Sequence, residues 1–153
     1  MAIELTKEQL VAKLVNVSQA AHKGAFTGVQ KGALIGQGTA MKYCTPGSSP
    51  FDPMVFPSKK GGTGAPLDTG LLRAHIYIKV EDKEDEVSGG VGCGDSGNEG
   101  PATVAGYPLY VHEGTSKMQA RPFIRRAIED EAESIQGAIK DETWNSITEA
   151  ALL

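Results

Sequence analysis

Glycine and proline are spread so unevenly along this chain that they limit its fold before any motif is read. Of its 19 glycines and 8 prolines, 18 and 7 respectively lie between Gly24 and Gly114. In a helix interior glycine costs about 1 kcal/mol relative to alanine, and proline about 3. The middle of the chain is therefore not a series of ordinary helices, and an all-helical bundle is excluded. The near absence of both residues from the two ends equally excludes uniform disorder. The expectation is one domain over residues 1–153, helical at both ends and loop-rich between them.

Thr6 followed by Gln9 forms a capping box, and Leu10, Val11, Leu14, Val15 and Ala21 recur at helical spacing. This predicts an amphipathic helix from about Lys7 to at least Lys23. Beyond it, Gly24, Gly28, Gly32 and Gly36 fall four residues apart, between Ala20 and Ala40. Two readings stay open. The spacing is accidental and the stretch irregular, or a helix persists there because a neighbour packs closely on its bare backbone.

Residues 38–66 read as a long loop insertion, with Pro46, Pro50, Pro53 and Pro57 and the run Lys59-Lys60-Gly61-Gly62-Thr63-Gly64. It carries Tyr43, Phe51, Met54, Val55 and Phe56, more apolar surface than a spacer needs. Docking on a partner or neighbouring subunit is one expectation, with Tyr43, Phe51 and Phe56 as contacts beside Gly24, Gly28 and Gly32. Packing back on its own domain is the other.

Alternation from Ala74 to Val80, a charged turn over Glu81–Glu86, and Val87, Gly89, Val91 and Cys93 on one face predict an antiparallel hairpin. Thr103–Val111 reads as a third strand or a short helix. Pro122 fits a first helical position, and apolar residues from Phe123 to Ile147 predict one helix from about Pro122 to Ala150. Within it, Glu129 and Asp130 can pair with Arg125 and Arg126, or that face can meet an acidic partner.

Lys and Arg total 15 against 19 Asp and Glu, a net charge of −4, which makes a dedicated nucleic-acid binder a poor fit. The start MAIELTKEQL lacks a basic-then-apolar signal pattern and no run approaches a membrane span, so a soluble chain made in the cytoplasm is expected. Cys44 and Cys93 read as free thiols.

The chemical signatures fail on context. Gly92–Gly97 matches GxGxxG, but Gly100-Pro101 follows where a helix must open. Gly94-Asp95-Ser96-Gly97 echoes a serine-protease nucleophile, with His22 and Asp52 or Asp68 in order, yet the length and helical ends leave no room for two β-barrels. His112-Glu113 has Ser116 where a second zinc histidine would stand, and His22, His75 and His112 form no ligand-spaced set. No cofactor or metal is expected, and no enzyme activity. A small hydrolase using Ser96 or Cys93 is the alternative from another class.

Two segments carry a resemblance. The first is Ala65-Pro66-Leu67-Asp68-Thr69-Gly70-Leu71-Leu72-Arg73, which leads into a strand. The second is Tyr107-Pro108-Leu109-Tyr110-Val111-His112-Glu113-Gly114-Thr115-Ser116-Lys117-Met118-Gln119-Ala120-Arg121-Pro122-Phe123, which leads into the last helix. In this order they resemble the small tail-completion or neck proteins of long-tailed bacteriophages, also described as minor tail components. The chain departs from that pattern in its 38–66 insertion, in Gln119 where proline is common, and in the glycine-rich Val87–Gly100.

The resemblance implies an α+β domain: a long N-terminal helix, an antiparallel sheet of three to four strands and a long C-terminal helix. It gives structural weight to Asp68, Thr69, Gly70, Leu72, Arg73, Glu113, Gly114, Thr115, Arg121, Pro122 and Phe123. It implies a virion protein in a homo-oligomeric ring, hexameric as a first guess. The ring would complete the tail or join head to tail, beside connector, terminator or tube proteins. A tail terminator or connector layer of the same neck is the alternative. DNA would only pass through the channel, whose acidic lining could come from the run Glu129–Glu133.

Overall fold

The computed structural model describes residues 6–58, 61–66, 70–94 and 107–152. Helix α1 runs Lys7–Tyr43, 37 residues or about 55 Å, and begins at the expected capping box. There the Thr6 hydroxyl accepts from the Gln9 amide at 3.3 Å, and the Thr6 amide donates to Gln9 Oε1 at 2.9 Å. A one-turn helix α2 (Leu71–Ala74), strands β1 (Ile76–Lys83) and β2 (Glu86–Cys93), and helices α3 (Tyr107–Glu113), α4 (Phe123–Asp130) and α5 (Ala132–Leu152) follow.

The segment holding the four spaced glycines is helical throughout, so the irregular reading is corrected. Gly24, Gly28, Gly32 and Gly36 are all buried in α1. An ideal Cβ on Gly24 would sit 2.8 Å from Thr143 Cα, and one on Gly28 would sit 2.6 Å from Ile139 Cα. At Gly32 it would meet Ile135 at 2.9 Å, and at Gly36 it would meet Ile128 at 2.6 Å. The partner numbers fall as the glycine numbers rise, so α5 and α4 run antiparallel to α1 with the helix backbones in near contact. Close packing offsets the helix propensity that four glycines forfeit.

The hairpin has the expected face. Ile76, Ile78 and Val80 pair with Cys93, Val91 and Gly89, and Glu84-Asp85 makes the two-residue turn. Gly89 lies against α1, where a Cβ would come within 2.5 Å of Val29. Among the described residues the sheet has two strands, not three or four. The segment read as a third strand or short helix is the helix α3 from Tyr107 onward, and residues 103–106 lie outside the described residues. Proline at the second residue of α3 is tolerated because first-turn amides have no intrahelical acceptor.

Two boundaries differ from expectation. Helix α1 continues to Tyr43, so the connection starts at Cys44 instead of residue 38. The C-terminal helix is interrupted at Glu131, a residue type that gives no warning in the sequence. There the Thr39 hydroxyl donates to Glu131 Oε1 at 3.0 Å. The bend lets Phe123 and Ala127 enter the core while α5 follows the glycine face. That core joins Ala40, Cys44, Leu72, Ile76, Val111, Phe123 and Ala127 at the C-terminal end of α1.

The other end of α1 is bare. Leu10, Val11, Leu14 and Val15 are 49–61% exposed, although their spacing reads as a buried face.

Candidate functional site

The two motif segments meet in the core. Leu72 from the first and Val111 and Phe123 from the second are each at most 2% exposed and belong to one cluster. Gly114 ends α3 at φ +79, donating to the Tyr110 carbonyl at 2.8 Å, and a Cβ there would lie 2.7 Å from the Ala120 amide. Only glycine suits both conditions. Thr115 and Met118 close the following turn through a bridge. Pro122 is the N-cap of α4, one residue before the first helical position that the sequence suggested for it. Gly70 takes φ +83 before α2, and Arg73 is exposed in its last turn. Asp68 and Thr69 lie outside the described residues.

Arg121 is the residue whose role the sequence least disclosed. It is only 7% exposed, and its Nη2 donates to the Pro57 carbonyl at 2.6 Å. Its guanidinium carbon stands 5.9 Å from the centre of the Phe56 ring, and its own amide donates to the Val111 carbonyl at 2.8 Å. Burial lowers its pKa, and its Nε is buried without a hydrogen-bond partner. Arg121 therefore fastens the 44–66 connection to the turn between α3 and α4.

That connection packs back on its own domain. Phe51 lies against the core and meets Phe56 in a tilted ring contact, centres 5.3 Å apart and planes at 59°. Gly64 (φ +68) presses so closely on the Phe51 carbonyl that a Cβ would come within 1.9 Å. Ala65 and Pro66 are buried. Tyr43 donates to Asp130 across α1 and α4. Of the five apolar residues that suggested docking on a partner, Met54 at 91% and Val55 at 50% exposure remain outside. Gly24, Gly28 and Gly32, expected at a subunit contact, are taken up by α5 within the chain. Deleting residues 38–66 would therefore remove core, not only a docking loop.

The polar residues singled out by the sequence are dispersed. His22 pairs with Asp82 at 2.6 Å, tethering the hairpin tip to α1. His75 Nδ1 donates to the Leu71 carbonyl at 2.8 Å, and His112 contacts Glu113 at 2.7 Å. Arg126 pairs with Asp130 as expected, whereas Arg125 reaches Glu113 at 3.9 Å. Within the acidic run, Asp130 and Glu131 are engaged inside the chain, and Glu129 and Glu133 are exposed.

Burial pushes the Cys44 thiol up to about 12 and the Cys93 thiol up to about 11, and Cys93 donates to the Leu72 carbonyl at 3.2 Å. A thiol so protonated is a poor nucleophile. Asp95, Ser96 and Gly97 of the GxGxxG match lie outside the described residues. Among the described residues no three His, Cys, Asp or Glu side chains are grouped to hold a metal, and no helix is long and apolar enough to cross a membrane.

A second feature is a trough floored by α1 and walled by β2 on one side and by α4 and α5 on the other. It holds about 280 Å³, and its lining is aliphatic or glycine throughout, including Val29, Val87, Val91, Ile128, Ile135 and Ile139. Periodicity alone could not disclose it, because Gly89 and Gly90 read as strand positions and not as the edge of a groove. In comparisons with known proteins, no family model, no curated protein and no solved structure matches the chain.

Proposed function

We propose that this chain is a structural virion protein of a long-tailed bacteriophage. It would act by assembly as one copy in a ring at the head–tail junction or upper tail. The reading rests on the resemblance of the two motif segments. The observation that carries it beyond resemblance is their convergence: Leu72, Val111, Phe123 and Arg121, some 50 residues apart at the extremes, build one core and its fastening. Such residues fix the shape of a subunit. The apolar surface left exposed at Leu10–Val15 and the apolar trough support that reading as surface a neighbour could cover. Exposed Glu129 and Glu133 are available as part of an acidic channel lining past which DNA would slide.

A tail-terminator or connector layer differs from tail completion only by position in the stack. The test is localisation in the particle. Labelled chain in purified virions is expected at the junction of head and tail, and particles lacking it are expected as unjoined or incompletely finished heads and tails. Label absent from virions would overturn the reading.

A further inference from the structure

We infer that the pocket between the 44–66 connection and the turn joining α3 to α4 is a binding site for a carboxylate carried on a short aliphatic stem. One wall is residues 55–57 of the connection, the other is residues 117–119 with Arg121, and the space between them is about 300 Å³. That volume lies at the lower end of ligand pockets, enough for a side chain or a small acid. The site does not depend on the ring reading.

The unmatched charge of Arg121 carries the inference. Arg121 is only 7% exposed, yet the one acceptor its guanidinium meets is the Pro57 carbonyl at Nη2, and Nε is buried with no partner. A guanidinium is seldom taken out of water without an opposite charge beside it, because the desolvation is otherwise uncompensated. Among the described residues no carboxylate pairs with Arg121 or with the exposed Lys117. Asp52 and Glu113, the acids nearest in sequence to the two walls, are engaged elsewhere. Asp52 accepts from the Met54 amide at 2.8 Å, and Glu113 contacts His112 at 2.7 Å. The lining therefore holds two positive charges and no negative one.

The rest of the lining selects the kind of anion. Val55 and Met118 offer apolar surface to a stem, while Arg121 and Lys117 meet the charged end. Phosphate sites gather backbone amides at a helix N-terminus or in a nest, and no residue of α4 lines this pocket. The site is also formed in advance. The Thr115 amide donates to the Met118 carbonyl at 2.8 Å and the Lys117 amide to Thr115 Oγ1 at 3.2 Å, which closes the turn that carries Lys117. The Nη2–Pro57 bond holds the two walls together. A ligand entering such a site has little ordering cost to meet. A free acid and an acidic side chain of another chain present the same group to it.

The experiment follows the Nε–H resonance of Arg121 in the full chain, assigned by its loss in Arg121→Gln, during titrations at constant ionic strength. Sodium butyrate is the free-acid probe, and N-acetylglutamate amide, whose one carboxylate is that of the side chain, is the other. At least one should shift the resonance saturably in the millimolar range, whereas sodium chloride should not. Butyrate binding about 10-fold tighter than the glutamyl probe identifies a free acid as the ligand, and equal or tighter glutamyl binding identifies an acidic side chain. Lys117→Gln, at an exposed and unpaired position, should leave the fold intact and weaken binding about 5-fold. Absence of a saturable shift with both carboxylates would mean that the pocket holds water only and overturns the inference. Sodium phosphate binding as tightly as the better carboxylate, or Lys117→Gln binding as wild type does, overturns it as well.

Discussion

The backbone of Ile139 occupies the space that a side chain at Gly28 would need: an ideal Cβ on Gly28 lies 2.6 Å from Ile139 Cα. Backbone cannot move aside as a flexible side-chain tip can. Gly28→Ala is therefore predicted to destabilise the protein by about 1–2 kcal/mol, the cost of overpacking less the gain in helix propensity. Gly137, on the opposite face of α5, has no atom within 4 Å of such a Cβ. Gly137→Ala should stabilise by up to about 1 kcal/mol. Urea unfolding of both variants checks the pair, and equal effects would contradict the packing account.

Arg121 joins the 44–66 connection to the body through the Pro57 carbonyl and the Phe56 ring. Removing a charged group from such a hydrogen bond costs about 1.5–3 kcal/mol. Arg121→Ala should lose about that much in urea unfolding and open the stretch Phe51–Ser58 to limited proteolysis. Arg121→Lys should not restore it, because an ammonium lacks the planar fork that spans carbonyl and ring. Proteolysis unchanged in Arg121→Ala would contradict the role.

Met54 and Val55 stand outside the packed connection. Met54→Asp and Val55→Asp should each change stability by no more than about 0.5 kcal/mol, as surface substitutions do. A loss comparable to that of Arg121→Ala would mean that the tip is buried on its own domain.

Stability should fall on the alkaline side. Burial raises Cys44 and Cys93 from an ordinary 9.0 to about 12 and 11. Burial and then the Asp130 carboxylate raise Tyr43 from 10.0 to about 12. For groups raised on folding, the stabilisation is complete below the unfolded values and is lost as pH rises through the folded ones. Melting temperature should therefore hold up to pH 9.0 and drop on the way to about 11 and 12. Asp130 works in the opposite sense. The Tyr43 hydroxyl and then Arg126 hold its carboxyl below its ordinary 3.8, so its contribution is present above that value and lost as pH falls through the lowered one. Tyr43→Phe should flatten both limbs, and profiles parallel to wild type would contradict the pairing.

The legible parts of the fold were those set by local chemistry. The Thr6–Gln9 box located the start of α1, and alternation with a short charged turn gave the hairpin its face and pairing. The Gly24–Gly36 spacing was visible, but its meaning depended on α5, more than 90 residues away in sequence. Long-range partners explain the other differences. Arg121 reads as a helix-start residue until Pro57 and Phe56 are beside it. Glu131 has no breaking propensity, and the bend there comes from what α4 and α5 each pack against. Leu10–Val15 carry a core-like period yet are exposed, with none of the described residues covering them, a pattern that sequence cannot distinguish from a buried face.

The most direct measurement of the assembly account is the native mass of the purified chain at micromolar concentration. The account predicts a single closed species that is a fixed multiple of 16.1 kDa, six copies as the first guess. A mass of 16.1 kDa at every concentration reached would contradict it.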